Sequence, residues 1–161
     1  MRRNDGTQLS VNVGGARAIA RKLLKDVGIK EIPVSLWKVI EYLKARHDFE
    51  VLRLSLGNVD GILVTIDGQP TIGFNGDVSW VRKRFTIAHE IGHYLLGHTC
   101  TDPDIDSDPE REAHQFAAEL LMPLAFLKID YKAKPDLDFL TQKYKTSREA
   151  MTIHLIECRI L

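Results

Sequence analysis

Apolar residues recur along this chain with two different periods, and the change from one to the other divides it. Residues 15–28, GARAIARKLLKDVG, carry helical spacing and end on Gly28, where a left-handed residue can close the helix. In residues 32–48, IPVSLWKVIEYLKARHD, Leu36, Val39, Ile40 and Leu43 share one helical face behind Ser35, a side chain suited to capping a first turn. The period then drops to two. FEVLRLSL at 49–56 alternates, GILVTI at 61–66 and PTIGFN at 70–75 are rich in strand formers, and Asp67-Gly68 is a strong hairpin signal. A small, mostly antiparallel sheet is expected here. One strand of the 61–75 run is expected to be a free edge.

Helical spacing returns from Ser79 to about Gly97. Phe85, His89, Gly92, His93 and Leu96 stand at i, i+4, i+7, i+8 and i+11 in RFTIAHEIGHYLLGH, so two histidines face inward among apolar neighbours. Residues one turn apart have Cβ atoms about 5–6 Å from each other, which lets both imidazoles reach a single metal ion. Glu90 points about 100° around the helix from His89. There it stands beside such an ion without ligating it and can take a proton from water, the logic of His-Glu-x-x-His. Two core histidines with no metal would need other partners, since unpaired imidazoles are costly to bury.

A third ligand is required. His98 follows His93 by five residues where the metzincin pattern needs six, so that arrangement is excluded. Downstream, SDPEREAHQFAAELLMP reads as a helix from Pro109, with Asp108 as N-cap. Glu110 aligns with Ala113, His114, Ala117 and Leu121 and looks inward, whereas Glu112, Gln115 and Glu119 form a polar stripe expected to face solvent. Asp102, Asp104, Asp106 and Asp108 alternate between the two helices. A calcium loop is excluded, because Ser107 stands where glycine is wanted and Ala113 where a bidentate glutamate is wanted. The segment is expected to be a solvated acidic loop that favours basic substrate segments.

RFTIAHEIGHYLLGH followed by EREAHQFAAELLMP resembles the ImmA/IrrE family of zinc metallopeptidases, and the flanking DGILVTIDGQPTIGFN and LDFLTQKYKTSREAMTIHL fit its layout. The similarity runs from about Ile32 to Leu155. It implies a gluzincin-like fold, zinc held by His89, His93 and Glu110, and Glu90 as general base. It also implies a protein substrate, a helix-turn-helix repressor or related DNA-binding regulator. One departure stands out: the family usually has Asn or Asp directly after the alanine, able to orient a metal-bound histidine, and here that residue is His114. A turn away from Glu110, His114 can also reach the metal itself, which leaves a three-histidine set open.

Composition narrows the remaining choices. With 161 residues and 44% hydrophobic content, one domain spanning 1–161 is expected, its first ten residues flexible. Lys plus Arg and Asp plus Glu both total 22, so no overall field draws the chain to nucleic acid or an anionic membrane. Cys100 and Cys158 form no metal spacing or disulfide framework, and no apolar run marks a leader or a membrane span, which points to the cytoplasm. Thr146 and Glu149 in TSRE read as a capping box before a last helix expected to pack on the core and not to contact DNA. The expected protein is an α+β zincin-like fold, a small sheet against a metal-binding helix pair with short C-terminal helices, acting as a zinc endopeptidase. His98 and Tyr131 are candidate oxyanion partners. The competing reading is a metal-dependent regulator that binds and inhibits its partner without turnover.

Overall fold

The computed structural model describes residues 12–98 and 107–161. Helix α1 (Val13–Val27) starts at Asn12, whose side chain accepts the Gly15 amide, and stops at Gly28 in the left-handed region, φ 81°. Helix α2 (Leu36–Lys44) is capped by Ser35, as its sequence predicts. Strands β1 (Glu50–Leu54), β2 (Gly61–Ile66) and β3 (Gln69–Asn75) follow, then α3 (Trp80–Leu95), capped by Ser79. Helices α4 (Asp108–Leu121), α5 (Leu124–Ala133), α6 (Leu137–Tyr144) and α7 (Arg148–Glu157) complete an α+β fold. The stretch expected to be flexible, Cys100 and the acidic positions Asp102, Asp104 and Asp106 lie outside the described residues.

The sheet has the order β1-β3-β2. The β2–β3 hairpin is antiparallel and turns through Asp67 and Gly68, both at positive φ, as the Asp-Gly signal requires. β1 instead lies parallel to β3, so the sheet is mixed. Alternation identifies a strand but carries no information about its partner or direction. Ile72, fully buried, pairs with Val51 on one side and Leu63 on the other, and this row packs against the helical core. β2 is an edge strand, and it begins against α3: a Cβ on Gly61 would lie 2.4 Å from Thr86 Cγ2 and 3.3 Å from Glu90 Cγ.

Helix α4 lies between α3 and α1, and the approach to α3 is close because position 92 has no side chain. A Cβ on Gly92 would stand 2.9 Å from Phe116 Cδ1 and 3.2 Å from the Ala113 carbonyl oxygen. Gly92→Val is therefore expected to lower stability by about 1–3 kcal/mol through overpacking, read as a shift in the urea midpoint. An unchanged midpoint would mean that the two helices have room to separate.

Three local expectations are corrected. The N-cap of α4 is Ser107 and not Asp108: Ser107 accepts the Glu110 amide, and Pro109 is simply tolerated in a first turn whose amides have no helical partners. Ser147, not Thr146, caps α7, and Thr146 is buried instead. The polar stripe of α4 is an interface and not a solvent face. Gln115 and Glu119 are 7% and 1% exposed, and two arginines one turn apart on α1 match them. Arg17 donates to Gln115 Oε1 at 2.7 and 3.1 Å, and Arg21 donates to Glu119 Oε1 at 3.0 Å. Periodicity reports polarity, and a polar stripe paired with another polar stripe looks the same as a wet one. At the C-terminal end Met151 and Leu155 of α7 enter the core, as expected for a packing helix.

Candidate metal centre

The geometry of α3 and α4 converges on three side chains. His89 and His93, one turn apart on α3, place their Nε2 atoms 3.1 Å from each other. Across the Gly92 contact, Glu110 in the first turn of α4 brings Oε2 to 2.9 Å from His89 Nε2 and Oε1 to 2.8 Å from His93 Nε2. Among the described residues, His89, His93 and Glu110 form the one group of His, Cys, Asp and Glu side chains so arranged that it could hold a metal ion. The donor set, two imidazoles and a carboxylate, suits a divalent first-row ion. One donor atom from each residue lies within 4.8 Å of the other two, a spread open to a common ion about 2.0–2.2 Å from each.

The surroundings shift the protonation of these groups. Burial, with the neighbouring His89 second, lowers the His93 imidazole to about 4, so its ring is neutral near pH 7. Hydrogen bonding to His89 holds the Glu110 carboxyl below its ordinary value. Glu90, 7% exposed, is pushed up to about 7, chiefly by burial, with His89 opposing and the Glu110 charge adding to the rise. A carboxyl that exchanges its proton near neutrality beside a potential metal site is suited to general acid and base work.

His89 and Glu110 open into a cleft of about 510 Å³ that Val59, Gly61, Phe85, Glu90 and His114 also line, with His93 buried behind them. Phe85, Thr86 and His114 continue into a second cavity bounded by Ala150 and Ile153 of α7, and His89, Glu110 and His114 into a third bounded by Arg17 and Gln115. His114 thus borders all three cavities. Its ring lies 4.9 Å from that of Phe85, and neither of its nitrogens has a hydrogen-bond partner among the described residues. The structure therefore brings His89, Glu90, His93 and Glu110 together and leaves His114 beside them, outside the converging set.

The two oxyanion candidates are placed elsewhere. His98 Nδ1 lies 2.9 Å from His93 Nδ1, and its Nε2 lies 2.9 Å from Glu112 Oε2. Both ring nitrogens are thereby occupied. Tyr131, on α5, packs against the hydrophobic core and is not among the residues lining the cleft. The contact between His98 and His93 was missed in the sequence because five residues is neither of the separations that juxtapose side chains on one helix. The chain leaves α3 before His98, with Gly97 at φ 71°, and folds the ring back.

Known proteins place this geometry in context. The IrrE N-terminal-like domain, Peptidase_M78, matches residues 44–155. No curated protein matches the chain. A transcriptional regulator of Mycobacterium tuberculosis is similar in fold, with a TM-score of 0.64 and 15% identity over 85% of this chain and 44% of that one. The present chain thus spans less than half the length of that protein. No helix of the described residues is long and apolar enough to cross a membrane. On the match across residues 44–155, the chain belongs to the Peptidase_M78 family.

Proposed function

We propose that the chain is a zinc-dependent endopeptidase that cleaves a protein partner, a helix-turn-helix repressor or related DNA-binding regulator. The observation that carries this reading is the convergence of His89 Nε2, His93 Nε2 and Glu110 carboxylate oxygens, with His89, Glu90 and Glu110 lining one cleft. Membership of a peptidase family supports the reaction class, and the resemblance to ImmA/IrrE proteins supports the partner. His89, His93 and Glu110 would hold the ion, the three protein ligands that a catalytic zinc site uses. Zinc supplies, when bound, a Lewis acid that polarises a carbonyl and acidifies water.

The remaining steps belong to the chain. Glu90 takes a proton from the attacking water, and the hydroxide so generated adds to the scissile carbonyl carbon. Glu90 then gives the proton to the leaving amine as the carbon–nitrogen bond breaks. The edge of β2 lies beside this group because Gly61 packs directly on Thr86 and Glu90. An extended peptide can therefore add to β2 as a further strand, with backbone hydrogen bonds aligning it along the cleft. A structural ion with four protein ligands would have no use for Glu90, which counts against the reading in which the partner is bound but never cut.

The test is incubation of the zinc-loaded protein with candidate helix-turn-helix regulators from the same genome, followed by mass spectrometry. Discrete fragments that a chelator suppresses and added zinc restores are expected. Strand addition requires an extended segment, so the cut is expected in a loop or a locally unfolded stretch. A cut mapped to the middle of a stable helix would refute the docking mode, and an intact partner held in a stable complex would favour binding without turnover.

A further inference from the structure

The contacts behind His93 continue beyond His98. Glu112 accepts from His98 Nε2 through Oε2 at 2.9 Å, and its other oxygen, Oε1, accepts the backbone amide of Asn12, the N-cap of α1, at 3.0 Å. The His98 and Glu112 side chains are 10% and 18% exposed, so the contact between them is largely shielded from competing water. The hydrogens can be assigned by elimination. A carboxylate only accepts, so His98 donates from Nε2, and a neutral His98 then offers a lone pair at Nδ1. His93 consequently carries its hydrogen on Nδ1. Its Nε2 lone pair is left facing His89 and Glu110.

We propose that His98 and Glu112 are positioning residues of the metal centre, forming a hydrogen-bonded relay from Glu112 through His98 that fixes the orientation and tautomer of the His93 ring. This rests on the reading of His89, His93 and Glu110 as a metal site. A carboxylate hydrogen-bonded to a ligating histidine is a familiar way to fix its tautomer and raise its basicity; here an imidazole is interposed between the two. The residue after Ala113 is thereby relieved of an orienting role, which accounts for His114 at that position with no hydrogen bond to either ligand. The relay also ties the metal helix to the start of α1. Glu112, expected from its polar stripe to be inert, becomes a determinant of metal affinity.

The test is zinc affinity by competition with a chromophoric chelator, measured for the wild type, His98→Ala, Glu112→Ala, the double variant, Glu112→Gln and His98→Asn. Gln115→Ala is the control, removing a side chain of the same stripe that touches Arg17 and no histidine ligand. His98→Ala and Glu112→Ala are expected to weaken zinc binding about 10–100-fold. The double variant should be no weaker than His98→Ala by more than about twofold, because Glu112 acts only through His98. His98→Asn keeps an acceptor for His93 Nδ1 and should recover part of the loss, and Glu112→Gln should fall between Glu112→Ala and the wild type. Gln115→Ala should bind zinc normally even where its unfolding midpoint falls. Affinities of His98→Ala and Glu112→Ala within twofold of the wild type, or losses that add in the double variant, would overturn the relay. A wild type that does not bind zinc would instead overturn the metal reading beneath it.

Discussion

Glu90→Gln is expected to retain zinc at wild-type affinity and to lose about 10²–10⁴-fold in the rate of partner cleavage, the range typical of removing a general base. Gln keeps the size of the side chain, and Glu90 is outside the converging group of His89, His93 and Glu110, so the ion should be undisturbed. What disappears is the proton carrier. The same substitution should stabilise the metal-free protein at higher pH. Burial raises the folded-state value of Glu90 from 4.5 to about 7, so the folded chain keeps a proton that the unfolded chain releases between those values. Its contribution is complete below about pH 4.5 and is lost as pH rises through 7. Between pH 4.5 and 8, metal-free wild type should lose on the order of 2–3 kcal/mol relative to Glu90→Gln. Chemical denaturation of both proteins across that range measures it. Parallel pH curves would show that Glu90 ionises freely in the folded state, and undiminished cleavage by the variant would remove Glu90 from the chemistry.

Glu110→Ala should have the largest effect on metal. It leaves two imidazoles and water, so zinc affinity should fall by more than the ~10–100-fold typical of losing an outer hydrogen-bond partner, and cleavage should disappear with the ion. His114→Ala is the informative companion. Its ring packs on Phe85 and makes no hydrogen bond to His89 or Glu110, so its removal should leave zinc affinity unchanged even though it widens the cleft. Metal analysis after dialysis against a calibrated chelator separates the cases. Zinc lost in His114→Ala and kept in Glu110→Ala would make this a three-histidine site.

The candidate site was legible where local geometry decides the outcome. His89 and His93 must share a face if α3 is a helix, and the inward phase of Glu110 follows from its register with Ala113 and Ala117. The Asp67-Gly68 hairpin and the Ser35 and Ser79 caps are likewise properties of short segments. What escaped depends on partners distant in sequence. The parallel pairing of β1 with β3 is set by the tertiary path between strands. The stripe of Gln115 and Glu119 reads as solvated from periodicity alone because its partners, Arg17 and Arg21, lie 98 positions away in each case. His98 was invisible as a neighbour of His93 because the chain leaves the helix before folding it back.

Peptidase chemistry of the proposed kind requires one zinc ion between α3 and α4, held by three side chains with a position left for substrate or water. Anomalous diffraction at the zinc edge from crystals of the purified protein tests it most directly. A single strong peak is expected about 2.0–2.2 Å from His89 Nε2, His93 Nε2 and a Glu110 carboxylate oxygen, with Glu90 outside that range and no fourth protein ligand. A peak coordinated by a fourth side chain, or zinc-loaded crystals with no peak between these helices, would contradict it.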